Sequence, residues 1–317
     1  MSADLILVNA DNYVHATTSR QFAITQKMTK GLDRFTHGRR PTQLDRQQVE
    51  RMNRDTIYSS ALVDISAGAT VTLPDAEGRY LSVAVINEDN YTTSIFHGAG
   101  TYDLSVDEHG TAYVMLVART LVDATDEADL AVANELQDQL RFEAGSSRRY
   151  ERPNYDPDTY ASTHELLKEL GKGLTGASGG NGRRDEVDPV RHLLLSAYGW
   201  GGLPDYEVMY EANAATLPIV DQQLTVRDVP VDSFWSISIY NRDGFFEQNP
   251  YESYSTNSVI ADANDDGSFT LHFGQEPNGR SNFLYVMEGW SYNVRLYQPR
   301  REILDGEWLF PVPEPTL

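Results

Sequence analysis

The sequence predicts a mainly β protein with accessory helices (α+β), built as two jelly-roll-like β-sandwich domains with a helical segment between them. Three patterns carry that expectation. Apolar residues recur with period two after Thr56 and again after Gly202, the spacing of strands with one buried face. Period 3.6 is confined to residues 11–35 and to the stretch between 126 and 199. Short turn signals separate the period-two runs, which suits a sandwich better than a parallel sheet with crossover helices.

Along the chain, Tyr13, Val14, Phe22, Ile24 and Met28 mark one or two helices, ended by His37-Gly38-Arg39-Arg40-Pro41. Asp45–Met52 adds an expected helical turn. Ile57–Ile65, Ala69–Leu73, Arg79–Asn87, Thr101–Ser105 and Ala112–Val122 read as strands, punctuated by Ala67-Gly68, Asp75-Ala76-Glu77-Gly78 and Asp107-Glu108-His109-Gly110. Asp126–Phe142 places Leu130, Ala133, Leu136 and Leu140 on one helical face. A second helix is expected over Thr159–Leu170, followed by a glycine-rich linker, Gly171–Gly182. Asp188-Pro189 is a helix start, with aspartate capping and proline in the first position. Strands resume at Tyr206–Glu211, Leu224–Val229, Phe234–Tyr240, Phe269–Phe273 and Tyr292–Tyr297, and three prolines extend the tail. The expected domains are 1–125 (a helix plus the first β domain), 126–203 (helices and linker) and 204–317 (the second β domain).

In the strand Phe234–Tyr240, Trp235, Ile237 and Ile239 alternate with Ser236, Ser238 and Tyr240. The later strand offers a matching polar face of Asn293, Arg295 and Tyr297. If the two polar faces adjoin, they line a pocket instead of meeting bulk water.

The 317 residues carry 47 acidic and 26 basic side chains, a net charge of −21. A surface this negative repels nucleic acid and anionic membranes, so neither is an expected partner. There are no cysteines, which excludes disulfides, thiolate catalysis and Cys–zinc sites. No apolar run approaches the ~20 residues that span a bilayer. The first residues, MSADLILVNADNY, lack a basic region and a long apolar core, so a cytoplasmic location is expected.

Gly176-Ala177-Ser178-Gly179-Gly180 matches the nucleophile-elbow pattern, but a helix precedes it where the motif needs a strand, and it reads as linker. Asp262–Gly267 copies the first half of a calcium loop, yet its twelfth position is Phe273 where a bidentate glutamate belongs, so a turn is expected. No two of the seven histidines have the i, i+4 spacing of a zinc helix, and no metal or other cofactor is expected. His192 falls in the first turn of its helix, where it is either structural or a proton relay. Asn53-Arg54-Asp55-Thr56 and Asn87-Glu88-Asp89-Asn90-Tyr91 crowd charge beside strand ends, as salt-bridged turns or as site loops on a rigid frame.

On these residues the chain resembles a bacterial family defined by two domains of unknown function, DUF1254 followed by DUF1214. RMNRDTIYSSALVDI (51–65), GRYLSVAVINEDNYT (78–92) and EVDPVRHLLLSAYGWGG (186–202) carry the first resemblance. VPVDSFWSISIYNRDGFFEQNP (229–250) and YNVRLYQPRREILDGEWLFP (292–311) carry the second. The resemblance implies two jelly-roll-like β domains with accessory helices. Members are often exported, and some carry a loose carboxylesterase label, for which no serine triad stands behind this sequence.

Three functions follow as expectations. The first is a small-molecule hydrolase with a site between the β domains, in which Asp55 or Glu88 is the general base and His192 relays protons. Arg54 or Arg295 would hold an anionic group there, and Asn53, Asn87, Trp200, Tyr240 and Tyr297 would complete the ligand contacts. The second is a non-catalytic protein that binds a small ligand. The third is a structural role through homo-oligomerisation at sheet edges.

Overall fold

The computed structural model describes residues 5–31, 34–47, 50–174, 176–213 and 217–316. The chain is mostly β, with sixteen strands in four open sheets and six helices among the described residues. It divides into two compact units, one of residues 1–40 and 56–204, the other of 41–55 and 205–317.

The first unit holds helices α1 (Tyr13–Met28), α2 (Val106–His109), α3 (Glu127–Gln139), α4 (Pro157–Gly171) and α5 (Pro189–Tyr198). Its strands are β1 (Thr36–His37), β2 (Thr56–Asp64), β3 (Ala69–Leu73), β4 (Leu81–Asn87), β5 (Thr92–His97), β6 (Gly100–Leu104), β7 (Tyr113–Leu121) and β8 (Arg141–Ala144). One sheet runs β1-β2-β7-β4-β5 and the other β6-β3-β8, with antiparallel pairing throughout. Val63, Val83, Val85 and Leu116 of the first sheet pack with Val71, Leu73 and Leu104 of the second, and Leu136 and Leu140 join the same core. Each such side chain contributes roughly 1.5–3 kcal/mol on burial. The opposite face of the larger sheet is also covered, since Phe22 of α1 packs with Leu62, Ile86 and Met115. That is why β4 reads LSVAVIN with every residue buried.

The second unit holds β9 (Val208–Asn213), β10 (Gln222–Val226), β11 (Trp235–Tyr240), β12 (Ser255–Asn257), β13 (Phe269–Gly274), β14 (Phe283–Tyr285), β15 (Ser291–Tyr297) and β16 (Glu314–Pro315), with the short helix α6 (Arg301–Leu304). Its sheets are β14-β13-β10-β16 and β12-β11-β15-β9. Leu224, Val226, Leu271 and Phe273 pack with Trp235, Ile237, Ile239, Val294 and Leu296 between them.

Segment 41–55, which chain order puts with the first β domain, lies in the second unit. The Gln47 side chain bonds both backbone groups of Phe246, and Leu44 and Met52 pack on the cluster of Tyr240, Phe246 and Tyr254. The helical turn expected over Asp45–Met52 is a 3₁₀ turn at Leu44–Arg46, and Gln48 and Val49 lie outside the described residues. Strand β5 was not anticipated, because Thr92–His97 lacks a clean alternation. The glycine-rich segment is held by α5: the Asp188 amide bonds the Gly179 carbonyl at 2.8 Å and Arg191 bonds the Ser178 carbonyl at 2.6 Å. Residues 262–267 form a turn with Gly267 at φ +79°. Among the described residues no helix is long and apolar enough to cross a membrane.

Candidate functional site

The polar faces of β11 and β15 do adjoin. Ser236 pairs with Arg295 and Ser238 with Asn293 across the ladder. This face is buried, and residues 51–55 cover it. Arg295, 3% exposed, donates to Ser238 Oγ at 3.1 Å, Tyr240 Oη at 2.9 Å and the carbonyls of Arg51 and Met52 at 2.8 and 3.3 Å. Tyr240 donates to the Met52 carbonyl at 2.8 Å. Asn53 accepts from the Asp55 amide at 2.7 Å and donates to Tyr297 Oη at 2.8 Å. Arg54 reaches the Thr42 carbonyl at 3.1 Å and lies over the Tyr254 and Phe246 rings.

Asp55 takes a 2.6 Å hydrogen bond from Ser236. Burial pushes its carboxyl above the usual range, against the opposing pull of Arg295, Ser236 and Asn257. Burial by itself would lower Arg295, yet Tyr240, Tyr297 and Asp55 outweigh it and hold the guanidinium firmly cationic. Five of the sequence-predicted residues, Asn53, Asp55, Tyr240, Arg295 and Tyr297, thus meet in one buried network, with Arg54 at its edge. Ser236, on the polar face the sequence marked, belongs to it too, as does Asn257, which only the strand pairing identifies.

The remaining candidates lie in the first unit. The β4–β5 connection is a tight turn: Asn87 Oδ1 accepts from the Asp89 and Tyr91 amides at 3.0 and 3.1 Å, and Asn90 adopts the left-handed φ of +61° that asparagine tolerates. Asn90 and Asn87 also anchor the turn outward, to Ser196 and to the Gly201 amide from Asn90, and to the His109 carbonyl from Asn87. His192 stacks on Tyr91 with centroids 4.5 Å apart, and its ring nitrogens lie 3.0 Å from the carbonyls of Gly180 and Asp89. Those contacts occupy both nitrogens with backbone. Trp200 donates to Thr18 at 3.0 Å and packs edge-on against Phe22.

A pocket flanks each side of this turn. On one side a cavity of about 220 Å³ is lined by Asn87, Asp89, Tyr91, His109, Arg183 and Arg184, among others. His109 Nδ1 contacts Thr93 Oγ at 2.7 Å, and that hydroxyl spends its own proton on the Val85 carbonyl. The histidine must therefore donate from Nδ1, which leaves Nε2 as a buried lone pair with no partner among the described residues. Burial keeps this imidazole below the usual histidine range.

On the other side a cavity of about 390 Å³ is lined by Glu88, Tyr113, Arg148, Arg149, Tyr150, Glu151 and Pro153. Glu88 Oε1 accepts from the Tyr113 amide at 3.3 Å, and Oε2 lies 4.0 Å from His15 Nε2. Burial raises the Glu88 carboxyl above the usual range, although the Tyr113 amide and His15 oppose the shift. The hydrogen bond from His15 to Asp89, together with both neighbouring carboxylates, outweighs burial and raises the His15 imidazole. A carboxyl with raised proton affinity, in a cavity also lined by guanidinium and phenol groups, can hydrogen-bond an anionic ligand or exchange a proton with it. Sequence reasoning missed Arg148, Arg149 and Tyr113 here. The run Ser-Ser-Arg-Arg-Tyr at 146–150 has no spacing that pairs it with Glu88. Among the described residues no cluster of three acidic or histidine side chains has the arrangement of a metal site.

Comparison with known proteins agrees with this architecture. The family model described as "Protein of unknown function (DUF1254)" matches residues 32–103, and "Protein of unknown function (DUF1214)" matches residues 221–301. The crystal structure of the VPA0106 protein from Vibrio parahaemolyticus superposes with a TM-score of 0.73 at 20% identity, covering 97% of this chain and 98% of that one. An uncharacterized protein from Burkholderia cenocepacia gives a TM-score of 0.53 at 14% identity, covering 92% and 86%. At such identities the likeness concerns the fold. No curated protein matches the sequence.

Proposed function

Because the chain belongs to the bacterial family that joins a DUF1254 to a DUF1214 region, whose function is unassigned, we propose from its own geometry that it binds a small anionic molecule in the Glu88 pocket. One observation carries this reading: a carboxyl with raised proton affinity lines a cavity of about 390 Å³ together with Arg148 and Arg149. That volume suits a small metabolite. Arg148 is committed to Asp64, so Arg149 is the group available to hold the anion, while Glu88 hydrogen-bonds the ligand's polar end.

A hydrolase is the second reading. The same raised carboxyl favours it, since higher proton affinity makes Glu88 a stronger general base. Asp55 and His192 support it less, because their polar atoms are engaged within the fold.

Incubating the protein with a metabolite extract and analysing the retained compounds by mass spectrometry separates the two readings. Binding predicts an anionic compound retained unchanged, with at least tenfold less retained by R149Q. Hydrolysis predicts consumption of that compound with the mass of one water gained across the products, and loss of turnover in E88Q. Equal retention by wild type and R149Q, with no product formed, would sink both.

A further inference from the structure

We infer that the first unit carries a second anion site, a basic groove between the C-terminal end of α1 and residues 147–152, which takes an organic molecule bearing two or more carboxylate or phosphate groups. The groove has a volume of about 790 Å³ and, among the described residues, is lined by Lys27, Lys30, Arg149 and Arg152 against a single carboxylate, Glu151. This charge balance inverts that of the chain, which has 47 acids for 26 bases and only four lysines. Two of the four lysines stand here.

Ten arginines and lysines elsewhere have a carboxylate oxygen within 4.0 Å, Arg79 with Asp129 and Arg280 with Asp221 among them. Among the described residues none of the four groove cations has one. In a chain with surplus acid, four like charges left facing one cleft repel each other. A multiply charged anion relieves that repulsion.

The wall that presents them is fixed in place. Asp64, fully buried, accepts from Ser146 Oγ at 2.6 Å and from the Arg148 amide at 2.9 Å. Two residues on, Gln26 of α1 bonds both backbone groups of Tyr150, at 3.0 Å to its carbonyl and 2.8 Å from its amide. Residues 146, 148 and 150 are thereby pinned to the body of the unit, and Ser147, Arg149 and Glu151 alternate with them along the groove. A wall whose backbone is already fixed loses less freedom on binding than a mobile loop would. The groove shares Arg149, Tyr150 and Glu151 with the Glu88 pocket and is distinguished from it by Lys27, Lys30 and Arg152.

The test is isothermal titration of the full chain with citrate, with fructose 1,6-bisphosphate, and with acetate as a monovalent control. At least one of the two polyanions should bind in the millimolar range or tighter, with affinity falling as salt rises, and acetate should not. Whichever polyanion binds tighter identifies the carboxylate or phosphate class. K27Q/K30Q should weaken binding at least tenfold. K168Q/K172Q, which removes the same charge from the other two lysines, should leave it within twofold. Failure of both polyanions, or equal weakening by the two double variants, would overturn the site.

Discussion

Asp64 shows how much one side chain can organise. Its carboxylate gathers the Ser66 and Ser146 hydroxyls, the Ser66 and Arg148 amides and the Arg148 guanidinium. Burial alone would raise this carboxyl, but those partners together hold it well below the usual range. The folded pKa therefore lies under the unfolded value of about 3.9. The resulting stabilisation is fully present above that value and drains away as pH falls through the folded one. Asp64→Asn should cost about 2 kcal/mol at pH 7 and flatten the acid side of the stability profile, as chemical denaturation at pH 7 and at about pH 2 will show. An unchanged profile would mean that another carboxylate governs the acid limb. Nothing local marks Asp64 as special, because three of its donors come from residues 146–148, some eighty positions away.

At the scale of elements, α5 and β15 behave differently towards sequence reasoning. Asp188 was recognisable as a cap because capping is settled within a few residues; its Oδ1 accepts from the Val190 and Arg191 amides at 2.9 Å each. Asp188→Ala should lower the stability of the first unit by about 1 kcal/mol, read by hydrogen exchange along Pro189–Tyr198. The polar face of β15 was also visible, as was its match with β11, since alternation is a local property. What covers that face was not visible. Arg295→Met removes a buried cation and its hydrogen bonds to four acceptors, with an expected cost of about 3–5 kcal/mol. Three of the four tryptophans, Trp235, Trp290 and Trp308, lie in the second unit, so tryptophan fluorescence during urea unfolding reports this loss. A midpoint equal to that of wild type would show the network to be dispensable.

For the whole molecule, the net charge of −21 and the sequence pI near 4.6 set the colloidal behaviour. Self-repulsion keeps the chain dispersed at neutral pH and vanishes near the pI. Turbidity titration should find a solubility minimum between about pH 4 and 5, broadening with added salt. The same negative field makes the basic groove and the Glu88 pocket exceptional surfaces. Their cations sit at residues 27–30 and 148–152, and only the packing of α1 against the 146–152 segment sets them opposite one another.

The amino-acid order alone determined the β-rich architecture, the helix starts, the charged turn at 87–91 and the polar faces of β11 and β15. Each of these follows from residue periodicity or capping within about ten positions. The tertiary structure alone decided that Asp55 and Arg295 are interior, that residues 41–55 fold with the second unit, and that Glu88 and Arg149 line one cavity. Burial and the proximity of distant segments depend on long-range packing, which no local pattern encodes.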